Sequence, residues 1–121
     1  MATILVLDAE ADSRMLLKRL LEREGHEVIT SGDRRDALEM AVNRRLDLAI
    51  VNVDAGRRNT SPVGQLLKEA NSGLRILVIT DFLHDECKEI LADSEVLLRP
   101  VELDTIEVRV RDLLALDNHA Q

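Results

Sequence analysis

Five short aliphatic runs, separated by amphipathic stretches, limit what this chain can fold into more than any other feature. They are Ile4-Leu5-Val6-Leu7, Val28-Ile29-Thr30, Leu48-Ala49-Ile50-Val51, Ile76-Leu77-Val78-Ile79 and Val96-Leu97-Leu98. The first, third and fourth are apolar without interruption, which suits strands covered by helices on both faces of a parallel sheet. The second is short and more polar at its edges.

The intervening segments carry helical spacing. Leu16, Leu17, Leu20 and Leu21 recur on one side of a helix, and Gly25 follows as a stop. Ala37, Leu38, Ala41 and Val42 repeat the pattern behind Asp33, an expected N-cap. Ser61-Pro62 reads as a cap with proline at the first helical position, opening Val63, Leu66, Leu67 and Ala70. Cys87, Ile90 and Leu91 predict a short fourth helix. Leu103, Ile106, Val110, Leu113 and Leu114 predict the last, with Asp104 near its start. Five strands alternating with five helices predict an α/β fold, a doubly wound five-stranded parallel sheet with right-handed connections. The 121 residues make one domain, 1–121, with an ordered core expected over about 3–117.

Composition narrows the partners. With one Phe and no Tyr or Trp, the core must be aliphatic, and a stacking platform for single-stranded nucleic acid is excluded. A net charge of −7 argues against binding nucleic acid or an anionic membrane through broad electrostatics. No apolar run approaches the roughly 20 residues of a membrane span. The lone Cys87 fits a reducing compartment, and Met1–Asp8 lacks the pattern of a secretory signal, so the expected location is cytoplasmic.

In doubly wound sheets chemistry gathers where strands end, beside the reversal in strand order. The residues closing the strands are Asp8-Ala9-Glu10, Asn52-Val53-Asp54, Thr80-Asp81 and Arg99-Pro100. With Gly25-His26-Glu27-Val28, Leu46–Asn52 and Ile76–Thr80, they make the chain resemble a response-regulator receiver domain (CheY-like) over nearly its whole length. That resemblance implies a flavodoxin-like (βα)5 topology. It also implies phosphoryl transfer from a histidine kinase to an aspartate ending the third strand. Two acids after the first strand would hold Mg²⁺, a Thr or Ser would end the fourth, and a Lys would precede proline after the fifth.

Placed on this sequence, the pattern is incomplete. Asn52 occupies the phosphoacceptor position, and its amide lacks the carboxylate nucleophile that forms an acyl phosphate. Ala9 replaces one acid of the pair, leaving Asp8. Arg99 stands for Lys, exchanging a compact ammonium for a planar fork. Thr80 matches, while Val96 falls where the family carries the aromatic coupled to that hydroxyl. Arg99 is expected to pair with Asp8 in place of a metal.

The reading is therefore an atypical, receiver-like (pseudo-receiver) signalling domain of a two-component or phosphorelay system. It is expected not to be phosphorylated at the usual position and not to be an enzyme. It would act through a protein partner, a histidine kinase or an output domain, or as a homodimer. No cofactor is expected; Asp8, Glu10 and Asp54 offer at most a weak Mg²⁺ site, and the last two read as solvated loop acids. Two alternatives stand beside this one. Asp54 could accept phosphate in an active receiver, although it lies two residues from the expected acceptor. A flavodoxin-like module could bind a small ligand, although no Gly-rich phosphate loop follows any strand.

The remaining candidates read as structure. Arg34-Arg35, Arg44-Arg45 and Arg57-Arg58 are solvated doublets, and His26, His84 and His119 lack metal-ligand spacing. Val108 and Leu116 lie off the last helix's apolar stripe, as a candidate contact face or as ordinary scattered surface apolars. The resemblance also implies a cis peptide at Arg99-Pro100.

Overall fold

The computed structural model describes residues 2–52, 63–81 and 94–116. Within them the order is β1 (Thr3–Asp8), α1 (Ala11–Arg23), β2 (Glu27–Ser31), α2 (Arg34–Asn43), β3 (Leu48–Asn52), α3 (Val63–Ala70), β4 (Arg75–Thr80), β5 (Ser94–Leu98) and α4 (Leu103–Ala115). The five strands form one parallel sheet in the order β2-β1-β3-β4-β5. The expected doubly wound architecture is the one found.

Side chains alternate across a strand, so a continuous apolar run feeds two cores at once. Ile4, Val6, Leu48, Ile50, Leu77 and Ile79 pack on one face with Leu17, Leu20 and Leu21 of α1 and Ile106, Val110 and Leu113 of α4. Leu5, Leu7, Ala49, Val51, Ile76 and Val78 pack on the other with Ala37 and Ala41 of α2 and Leu67 of α3. Edge strand β2 buries Val28 and Ser31, in keeping with its more polar sequence.

Two local expectations hold in detail. The Asp33 carboxylate accepts the Asp36 N–H at 2.9 Å, capping α2. Gly25 takes φ +93° and ends α1. Its N–H donates to Glu22 O, and the His26 N–H reaches back to Leu21 O, closing the helix in a Schellman turn. The Arg99-Pro100 peptide is cis, as the resemblance implied.

Four apolar positions depart from the expected stripes: Leu16, Val42, Leu66 and Leu103 are exposed, the last two only just. Leu16 is 50% exposed and Val42 69% exposed. At 100° per residue Leu16 lies roughly 90° from the centre of the Leu17, Leu20 and Leu21 stripe. The buried face of α2 is narrow, made by Ala37 and Ala41, and Val42 falls outside it. The Ser61-Pro62 cap, the Cys87, Ile90 and Leu91 helix, Arg57-Arg58, His84 and His119 lie outside the described residues, so four of the five expected helices are described.

Candidate functional site at the strand ends

Parallel register brings the site together. Asp8 of β1 lies level with Asn52 of β3, on the side of the sheet end where strand order reverses. A cavity of about 210 Å³ opens there, lined among the described residues by Asp8, Ala9, Glu10, Ser13, Asn52, Asp81 and Arg99.

At its floor Asp8 is buried, only 4% exposed. A carboxylate removed from water needs hydrogen-bond donors. Asn52 Nδ2 donates to Asp8 Oδ2 at 2.8 Å, and the Glu10 N–H donates to Asp8 Oδ1 at 2.9 Å. The same Asn52 nitrogen donates to Ser13 Oγ at 3.1 Å. One amide therefore ties β1, β3 and the first turn of α1 together, using both of its hydrogens. Asn52 Oδ1 is buried and has no hydrogen-bond partner among the described residues.

Arg14 adds a second brace. Its Nη1 donates to the Asp8 carbonyl oxygen at 2.7 Å. The guanidinium passes so close to Gly32 that a Cβ there would lie 2.9 Å from Nη1. A side chain at position 32 would displace it.

The expected Asp8–Arg99 pair does not form. Arg99 Nη1 faces Asp81 Oδ1 at 3.3 Å across the mouth of the cavity. Two constraints explain this. The Arg99 N–H donates to the Thr80 carbonyl at 2.8 Å, which holds its backbone beside the end of β4 and next to Asp81. Each oxygen of Asp8 meanwhile accepts a hydrogen from a nearer N–H donor. Thr80 is buried where β4 ends, as expected, and Ala9 and Glu10 are exposed at the rim. Asp54 lies outside the described residues. Among those described, no group of three or more His, Cys, Asp or Glu side chains is placed to hold a metal.

Ser13 and Arg14 are site residues that the strand-end reading missed. The available signal was their distance from Asp8. A helix opening at Ala11 turns its third and fourth residues back over the strand it follows.

No protein-family model matches the chain. Among curated proteins it is 30% identical over 116 residues to the response regulator MprA of Mycolicibacterium vanbaalenii, covering 92% of this chain and 49% of MprA. Sporulation initiation phosphotransferase F of Bacillus subtilis is 22% identical over 120 residues, covering 96% of each. The response regulator TrrA of Thermotoga maritima, solved with Mg²⁺ and BeF, superposes with a TM-score of 0.78 at 25% identity, covering 93% of this chain and 99% of TrrA.

The chain folds as a response-regulator receiver domain.

The receiver domain spans about half the length of MprA, and almost all of the sporulation phosphotransferase. Among the described residues no helix is long and apolar enough to cross a membrane.

Proposed function

We propose that this receiver domain is a pseudo-receiver, held in one arrangement by Asn52 rather than switched by phosphate at that position. The observation that carries the proposal is the Asn52 amide, which donates at once to Asp8 and Ser13. A carboxylate at position 52 would have no hydrogen to give and would repel Asp8.

The receiver fold implies Mg²⁺ in this pocket, and the residues present do not fit it. Mg²⁺ is recruited by one or two carboxylates together with phosphate oxygens. Here both Asp8 oxygens accept N–H hydrogens, Ala9 supplies no ligand, and an amide nitrogen points at Asp8. Asn52 Oδ1 is a hard oxygen, but a single neutral one.

A receiver works because phosphate, worth roughly −1.5 to −2 charges, shifts a two-state equilibrium. With that input absent, the domain presents a fixed surface. Its partner would be a histidine kinase, an output domain or a second copy, contacted in the cytoplasm, with no catalysis of its own. The names of its relatives, response regulators and a phosphotransferase, support a place in two-component signalling.

Acetyl phosphate and beryllofluoride, each with Mg²⁺, test the proposal by mass spectrometry and NMR. Absence of an adduct and of shifts at Asp8, Asn52 and Thr80 supports it. An adduct mapped to Asp54 would instead identify an active receiver with a displaced acceptor.

A further inference from the structure

The other end of the sheet, away from the cavity, carries a polar cluster that the signalling role does not use. The Ala2 N–H donates to His26 Nδ1 at 3.2 Å, and the Glu27 N–H donates to the Ala2 carbonyl at 2.9 Å. One residue on, the Thr3 N–H donates to Asp47 Oδ2 at 2.8 Å, and the Asp47 N–H returns to the Thr3 carbonyl at 2.9 Å. The Schellman turn after α1 sets His26 in this place.

We propose that the amino end of β1 is held by a proton-sensitive clasp, in which neutral His26 accepts the Ala2 amide hydrogen and protonated His26 releases it. An imidazole nitrogen accepts only while it carries no hydrogen, so protonation at Nδ1 sets two N–H groups against each other. The charged groups around His26 pull in opposite directions. Burial, and then the chain's α-ammonium group, disfavour the imidazolium, while Glu24 and Asp47 favour it. Glu24 is itself paired with Arg111 of α4 at 3.0 Å, and Glu27 takes the Thr3 hydroxyl hydrogen at 3.3 Å. The first two influences outweigh the others and hold His26 below its ordinary value. Near neutral pH the clasp is therefore closed. Mild acid opens it at Ala2, while the Thr3–Asp47 bonds keep the strand itself in register.

Amide exchange and imidazole NMR titration on the full chain test the clasp, alongside His26→Asn. That variant's carbonyl can still accept the Ala2 hydrogen but does not titrate. The wild-type imidazole should titrate with a midpoint below 6.5. The Ala2 protection factor should drop roughly five- to tenfold through that midpoint, the share of one net hydrogen bond. His26→Asn should abolish the drop. A midpoint at or above 6.5, constant protection at Ala2, or the same drop in the variant would overturn the proposal. The two wild-type measurements decide it even where the variant fails to fold.

Discussion

Asn52 Nδ2 lies 2.8 Å from Asp8 Oδ2, level with it across adjacent parallel strands. A neutral donor thus faces a buried carboxylate at the point where the receiver fold would otherwise set two acids together. This contact determines what the cavity can and cannot do.

Asn52→Asp should destabilise the domain. The substitution removes two donated hydrogen bonds and brings a second acid against Asp8, for a loss of about 1–3 kcal/mol. Mg²⁺ should recover part of that loss in the variant and leave the wild type unchanged, because only the variant has a pair of carboxylates. Denaturant unfolding with and without Mg²⁺ checks both halves. A variant as stable as wild type in the absence of the ion would refute the role given to the amide.

The Arg99–Asp81 pair should contribute little. Its side chains are 30% and 40% exposed, so solvent screens their attraction. A double-mutant cycle should give a coupling of roughly 0–1 kcal/mol, as for other surface pairs. A much larger coupling would mean that Arg99 anchors the cavity.

Gly32→Ala should push the Arg14 guanidinium off the Asp8 carbonyl, since the new Cβ would lie 2.9 Å from Nη1. The arginine end is flexible, so the cost should be that of one hydrogen bond, about 1 kcal/mol. Unfolding of Gly32→Ala in the Arg14→Ala background provides the check. There the glycine substitution should cost less, and an undiminished cost would assign it to the backbone.

Stability should fall on mild acidification because of His26. Its value in the folded chain lies below the ordinary 6.5, so the unfolded chain binds more protons in the window between the two. The contribution of neutral His26 is complete above 6.5, declines as pH falls through that window, and is gone below the folded value. Denaturation midpoints measured across the window should decline less for His26→Asn than for wild type.

The strands and the sheet were legible in the sequence because the three central aliphatic runs, of β1, β3 and β4, each feed two cores and carry no polar interruption. Gly25 and Asp33 were equally plain, since a positive φ and an N-cap restrict residue type locally. The cavity was legible only in part. Asp8, Ala9, Glu10, Asn52, Asp81 and Arg99 of its lining were found from strand ends, which the alternation locates. Arg99 was assigned to Asp8 on charge alone, and charge does not say which acid a side chain can reach. Its backbone bond to Thr80 leaves it beside Asp81. Ser13 and Arg14 were missed because their part depends on how α1 sits over β1. The exposure of Leu16 and Val42 shows a similar limit: helical spacing identifies a stripe more reliably than its width.

The most direct measurement is intact-mass analysis after incubating the wild-type chain with acetyl phosphate and Mg²⁺, beside the double variant Asn52→Asp, Ala9→Asp. The account predicts no gain in mass for the wild type and a phosphoryl gain for the double variant. An Mg²⁺-dependent phosphoryl adduct on the wild-type chain would contradict it.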